Sequence, residues 1–259
     1  MSAHHALRVV EAEARTYRHV WRGSVFTSFV SPVLYLLAMG LGLGTLVDQG
    51  ARGGELPGDS YLAFLAPALV AVQGMMTGAG ESSWKVMAGI RWRKTYHAVL
   101  ATPVRAVDIA TGHLGWVTIR LFMVTGAYAV VMTLFGASSA TGALASVGPG
   151  VLTGLAFGGL IMAFTATLES ETGLSSLYRF GIVPLFLFSG TFFPIDQLPD
   201  WLEPVAVATP LWHGVELCRA AALGVPTAHG WPVHTGYLLV LSVAGLFLAR
   251  RNLHRRLVT

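Results

Sequence analysis

The chain has 259 residues, of which 54% are hydrophobic and only 12% charged, and its mean hydropathy is +0.61. A soluble domain carries about 25% charged residues, so this composition excludes a water-soluble body, and the length allows one compact unit. The net charge of +4 is no nucleic-acid signal, because position matters more than sum, and the single cysteine, Cys218, excludes an internal disulfide.

The expected architecture is all-α: one transmembrane domain over residues 1–259 with six spans. Residues 4–22 come first. Leu7, Val10, Ala14, Tyr17 and Trp21 share one helical face, while Arg8, Glu11, Arg15 and Arg22 fall elsewhere. That pattern predicts an amphipathic helix along the membrane surface, either a simple anchor or a platform for a partner. No cleavable signal peptide is expected, because the first apolar run is too long for one.

A helix crosses a ~30 Å hydrocarbon core with about 20 apolar residues. Long charge-free runs therefore place the first span at 23–47 and the second at 60–80. The loop 81–108 follows. Thr102 can cap a helix and Pro103 suits a first helical position, so a short helix over 91–101 is expected to end near Ala101 and a third long helix to begin at Pro103. The 48-residue charge-free run after Arg120 holds most of a third span (109–135) and all of a fourth (150–168). Gly136–Gly150, rich in small residues, reads as the loop between them. The fifth span is expected at 177–193 and the last at 231–249.

Orientation follows the basic residues near the span ends. Arg8, Arg15, Arg18 and Arg22, then Lys85, Arg91, Arg93, Lys94 and Arg105, then Arg250, Arg251, Arg255 and Arg256 lie on one side. The other side has only Arg52 and Arg219, among Asp48, Glu55, Asp59, Asp196, Asp200, Glu203 and Glu216. Thirteen against two places both termini and the 81–108 loop in the cytoplasm. Arg120 and Arg179 lie within spans. Arg120 snorkels to the cytoplasmic surface if its helix enters the membrane near Gly115, and needs a partner at mid-depth if entry is near Asp108.

Between spans five and six, residues 196–224 are too apolar for a wet loop and too broken to span. Asp200 and Glu203 have capping-box spacing, Pro204 limits the helix that follows, and Thr209-Pro210 starts another that stops at Gly224. Two short re-entrant helices dipping in from outside are expected, with a hairpin on the lipid surface as the alternative. Glu216 and Arg219, three apart, can pair.

Catalytic chemistry is missing from the sequence. Neither lysine follows a glycine, so there is no phosphate loop and no route of that kind to ATP. H-E-x-x-H and C-x-x-C are absent, His213 has no ligand set, and no metal site or catalytic residue is assigned. Ser189-Gly190 lacks the G-x-S-x-G setting of a serine hydrolase. No carboxylate lies deep in a span, as a coupled secondary transporter usually requires.

Three segments together resemble one family. They are Ser31-Pro32-Val33-Leu34-Tyr35-Leu36-Leu37-Ala38-Met39-Gly40-Leu41-Gly42-Leu43-Gly44; Thr95 to Arg105, with Leu100-Ala101-Thr102-Pro103; and Phe188-Ser189-Gly190-Thr191-Phe192-Phe193-Pro194, continued by Leu198-Pro199, Trp201-Leu202, Pro210-Leu211 and Val215 to Arg219. They look like the membrane subunits of type-2 ABC exporters, similar to nodulation-factor and daunorubicin-resistance permeases, over essentially the whole chain. The resemblance implies a multi-pass subunit of a bacterial inner membrane. It implies a second permease, identical or homologous, two copies of a cytoplasmic ATPase carrying the ATP and Mg, contact with membrane lipids, and no nucleic acid. Substrates would be amphipathic: drugs, glycolipids or lipid-linked saccharides. ATPase coupling would fall on Arg91, Trp92, Arg93, Lys94, Thr95, Tyr96, Leu100, Thr102 and Pro103, and on Arg15, Arg18, Trp21 and Arg22 of the interface helix. An outer gate would comprise Phe192, Phe193, Pro194, Trp201, Leu202, Pro210, Trp212, Glu216 and Arg219. A membrane scaffold or sensor that docks an ATPase without moving substrate is the rival reading, and a lipid-modifying enzyme a weaker third.

Overall fold

A computed structural model describes residues 3–49 and 60–258; Arg52, Glu55 and Asp59 lie outside them. α1 (Ala3–Tyr17) precedes α2 (Trp21–Asp48), α3 (Tyr61–Trp92), the short α4 (Thr95–Leu100), α5 (Ala106–Leu134) and α6 (Ala140–Thr165). α7 (Thr172–Phe188), α8 (Glu203–Val207), α9 (Pro210–Leu223) and α10 (Trp231–Val258) complete the set, and there is no strand among the described residues. Among the described residues five helices, α2, α3, α5, α6 and α10, are long and apolar enough to cross a bilayer; α7 is apolar but shorter.

Several boundaries differ from expectation. α6 begins at Ala140, because Ser139 accepts the Gly142 N–H at 3.1 Å, so the loop is only the turn around Gly136. Pro149 then lies inside the helix, and the Thr153 hydroxyl donates to its carbonyl at 2.8 Å. α7 runs over Thr172–Phe188 rather than 177–193, since Gly190 at φ +74° ends it. The expected 91–101 helix is split. Arg91 and Trp92 close α3, Lys94 reverses the chain at φ 52°, and α4 holds only Thr95–Leu100. α5 starts at Ala106, not Pro103, where the Asp108 carboxylate accepts the Arg105 backbone N–H at 3.2 Å and its guanidinium at 3.0 Å, while Thr102 donates to the Val99 carbonyl at 2.6 Å. α8 has no side-chain cap from Asp200, and Pro204 sits in its first turn, where a missing N–H does no harm. Thr209 caps α9 by accepting the Trp212 N–H, and Gly224 ends it in the left-handed conformation.

α6 is the central helix and packs against α3, α5, α9 and α10. Its glycines explain this. A Cβ on Gly78 of α3 would lie 2.1 Å from the Gly154 carbonyl oxygen, and one on Gly74 would lie 2.2 Å from that of Gly150. On the other side, a Cβ on Gly245 of α10 would meet Gly159 backbone at 2.8 Å. Lipid tails are as apolar as leucine, so helices in a bilayer associate through such close packing rather than by hydrophobic burial. The core beside the seam holds Phe64, Leu65, Leu69, Met75, Leu121 and Val215. α2, α7 and α10 leave large side chains uncovered, including Phe26, Leu34, Phe180, Leu187 and Phe247.

Gly78→Ala should force α3 and α6 apart and destabilise the fold by about 1–3 kcal/mol. Gly126→Ala, where a Cβ meets nothing within 4 Å, is the control. Thermal unfolding in detergent should fall for the first and hold or rise for the second; equal midpoints would refute the seam.

Candidate functional site

Where α1 crosses α3 and α5, six polar side chains close on one another. Lys85 Nζ donates to Glu13 Oε2 at 2.7 Å and to Glu81 Oε2 at 3.1 Å. Arg120 Nε donates to Glu81 Oε1 at 3.3 Å, and its Nη1 donates to the Tyr17 hydroxyl at 2.8 Å. The Arg120 guanidinium also lies 4.6 Å from the Tyr17 ring centre. His113, almost fully buried, donates from Nε2 to the Glu81 carbonyl at 3.1 Å, and its Nδ1 lies 3.5 Å from Glu13 Oε1, where the protonated ring interacts favourably with the carboxylate. Two acids and two bases thus neutralise each other in a mostly buried setting. Burial raises the Glu13 carboxyl, but His113 and Lys85 together outweigh it and hold it at about 2. Arg120 therefore has a carboxylate and a phenol as partners.

The hub corrects the reading of α1. Ala6, Val9, Val10, Glu13 and Tyr17 form the packed face, and a Cβ on Gly112 of α5 would meet the Ala6 carbonyl at 2.5 Å. Leu7 and Trp21, assigned to the apolar face, stay exposed, at 62% and 46%. The helix packs one face against α5 and leaves Leu7 uncovered. Arg15 pairs with Glu11 at 2.7 Å, Arg18 is exposed, and Arg22 lies over the Trp21 ring.

Beyond the hub the chain presents an exposed knuckle. Arg91, Trp92, Arg93, Lys94 and Thr95 all face outward, with Trp92 stacked on Trp84 at 6.5 Å. Tyr96 is buried against Gly89, Leu100 is half-buried, and Thr102 and Pro103 are exposed. Arg91 reaches Glu169 at 3.3 Å, and Arg256 from the end of α10 reaches the same carboxylate. Those two cations, Arg256 foremost, hold Glu169 below the usual carboxylate range. A cleft of about 690 Å³ separates α1 from the knuckle, lined by Arg8, Glu13, Trp84, Trp92, Arg93 and Tyr96.

At the opposite end Arg219 is the organising group. Its Nε donates to the Phe64 carbonyl at 3.1 Å, and one Nη donates to the carbonyls of Gly190 at 2.6 Å and Thr191 at 3.1 Å. It does not pair with Glu216, which accepts the Ala228 N–H at 3.2 Å instead. The Tyr61 hydroxyl donates to the Phe192 carbonyl at 3.2 Å, and Tyr35, Phe186 and Phe192 form an aromatic group. Three successive carbonyls of the broken chain after α7 are thereby satisfied by other elements. Trp212 is buried, and Phe193, Pro194, Leu202 and Pro210 are half-buried, whereas Trp201 is 73% exposed and joins none of these contacts. His213 meets His234 of α10, Nδ1 to Nδ1, at 2.9 Å. No cluster of three metal-ligating side chains occurs among the described residues.

Sequence reasoning missed Glu13, His113, Glu169 and His234. A lone acid on an amphipathic helix reads as solvated, and partners 21 to 100 residues apart leave no spacing signal.

Glu13 stays ionised in the fold down to about pH 2, whereas an unperturbed glutamate protonates near 4.5. Its stabilisation of α1 is therefore full above about pH 4.5 and drains as pH falls toward 2. Amide exchange over residues 3–17, corrected for intrinsic rates, should be faster at pH 3 than at pH 7. Glu13→Gln should reproduce the loss at pH 7, at about 1–3 kcal/mol. Unchanged protection in both would refute the hub.

The chain matches the family model for the ABC-2 type transporter over residues 9–223. It is 31% identical over 242 residues to Nodulation protein J of Rhizobium meliloti (strain 1021), covering 93% of this chain and 90% of that protein. It is 28% identical over 263 residues to Nodulation protein J of Bradyrhizobium diazoefficiens, covering 96% and 97%. It is 24% identical over 257 residues to the inner membrane transport permease YadH of Escherichia coli (strain K12), covering 94% and 92%. With apolar bundle, charged hub and family match in agreement, the chain belongs to the ABC-2 type transporter family as a bacterial membrane permease subunit, of a kind that works with an ATPase subunit.

Proposed function

We propose that the chain is the transmembrane subunit of an ATP-driven exporter that moves an amphipathic drug, glycolipid or lipid-linked saccharide out of the cytoplasm. ATP and Mg belong to a separate ATPase, present as two copies. The observation that carries this reading is the exposed cationic knuckle Arg91–Thr95 tied to the bundle by the Glu13–Lys85–Glu81–Arg120 hub. A push on the knuckle would move α1, α3 and α5 together.

The finer topology follows the same reading. Six spans are α2, α3, α5, α6, α7 and α10. α7 reaches about 25 Å at 1.5 Å per residue, and the self-satisfied chain after it covers the remaining depth. α8 and α9 are the re-entrant pair, and α1 the interface helix. The excess of Lys and Arg puts the hub end, and both termini, in the cytoplasm. YadH carries the name inner membrane transport permease, which supports the inner membrane here.

A second permease, identical or homologous, faces α2 and α7. Thr27, Ser31 and Tyr35 form a polar stripe on α2 and line an open cavity of about 430 Å³. Such a stripe is unfavourable against lipid and favourable against protein or a wet path. Closure of the ATPases would bias a two-state interface between the subunits, and the outer re-entrant helices would yield.

Replacing Arg91, Arg93 and Lys94 together with Ala should abolish co-purification with the ATPase or lower substrate-stimulated hydrolysis about tenfold, roughly 1.4 kcal/mol. Unchanged assembly and unchanged hydrolysis would sink the coupling assignment. Wild-type complex that assembles in vesicles but moves no substrate with ATP would favour a docking scaffold.

A further inference from the structure

The far end encloses a cavity of about 410 Å³ whose walls include Phe64, Pro194, Trp212, Glu216, Arg219 and Val225. Arg219 is only 5% exposed, yet its partners are three backbone carbonyls and the Phe64 ring, 3.7 Å away. Its Nη1 has no hydrogen bond among the described residues, and no carboxylate pairs with it. A buried guanidinium without a counter-ion is costly.

An acid is within reach. Glu216 stands three residues earlier on α9, so its Cβ lies about 5–6 Å from that of Arg219. The two do not pair. Glu216 Oε2 is drawn off by the Ala228 N–H at 3.2 Å, and Oε1 takes no hydrogen bond among the described residues. One cavity thus holds a cation and an anion one helical turn apart, each anchored by backbone and each with unused capacity. A simple anion would be opposed by Glu216 and by Asp196 at the rim, and a simple cation by Arg219. A zwitterion fits both.

We propose that this cavity binds a headgroup of the phosphoethanolamine class, its phosphate on Arg219 and its primary ammonium on Glu216. The ethylene unit between those groups matches charges one helical turn apart. Pro194, Ile195, Val225 and Pro226 supply apolar wall for a glycerol ester, which favours a phospholipid over a soluble ester. The site stands independently of the transport reading.

The full chain is placed in nanodiscs of phosphatidylglycerol mixed equally with phosphatidylethanolamine and phosphatidylcholine, and the lipids retained on extraction are weighed by native mass spectrometry. Wild type should retain phosphatidylethanolamine over phosphatidylcholine about tenfold, the equivalent of one charge-assisted hydrogen bond. Glu216→Gln should bring the ratio near one with an unchanged melting temperature. Arg219→Lys should lose both lipids, and a photoreactive phosphatidylethanolamine should label residues 190–228 of wild type. Failure of soluble glycerophosphoethanolamine to displace the lipid supports a membrane source, and displacement supports the same headgroup from a soluble ester. Equal retention by wild type, an unchanged ratio in Glu216→Gln, or displacement by inorganic phosphate alone overturns the proposal.

Discussion

No water reaches the middle of a bilayer, so a cation this chain carries into its apolar bundle needs partners there. Two arginines show how. Arg120 is met by Glu81 and Tyr17, which join α1, α3 and α5 at one point. Arg219 is met by carbonyls from α3 and from the broken segment after α7. Each cation fixes a junction of three elements, and its cost on burial makes the junction specific. Removing the partners would strand a charge, so the elements cannot drift apart one at a time.

Between those junctions the helices are held by absence of side chains. Gly74 and Gly78 face Gly150 and Gly154, and Gly159 faces Gly245, at distances no Cβ could occupy. Backbone-to-backbone approach gives α6 a rigid seam with α3 and α10. α2 and α7 share no such seam. Large side chains on both stay uncovered, among them Phe26, Leu34, Phe180 and Leu187. The bundle is therefore stiff along α3, α5, α6 and α10, and loose along α2 and α7.

Much of this was legible in the sequence, and for a physical reason. Long charge-free runs and one-sided Arg/Lys are imposed by the bilayer locally, so the apolar helices could be read residue by residue. Thr209-Pro210 and Gly224 bound α9 as capping chemistry requires. What failed was what depends on distant partners. Gly136–Gly150 looked like a loop because glycine disfavours isolated helices, but Gly150 is needed for the approach to α3. Glu216 and Arg219 looked like a helical ion pair, but stronger backbone partners claimed each. Glu13 carries no signal of its own, because nothing in its helix announces Lys85 and His113.

The division into stiff and loose elements bears on where a motion could occur. Displacement of the Arg91–Thr95 knuckle enters α3 directly and reaches α1 and α5 through Lys85, Glu81 and Arg120. From α3 the glycine seam passes it to α6 and α10, and Arg219 links α3 at Phe64 to the segment after α7. A rigid body of that extent cannot absorb strain internally, since packed cores and ion-paired junctions are bistable rather than compliant. The strain must appear at its margins, where α2 and α7 are weakly covered and where Tyr35, Phe186 and Phe192 bring them together. Among the described residues those three rings meet no charged group, and they contact one another by shape. Such contacts can be broken and remade with little desolvation penalty, which is the property a moving boundary needs and a buried arginine lacks.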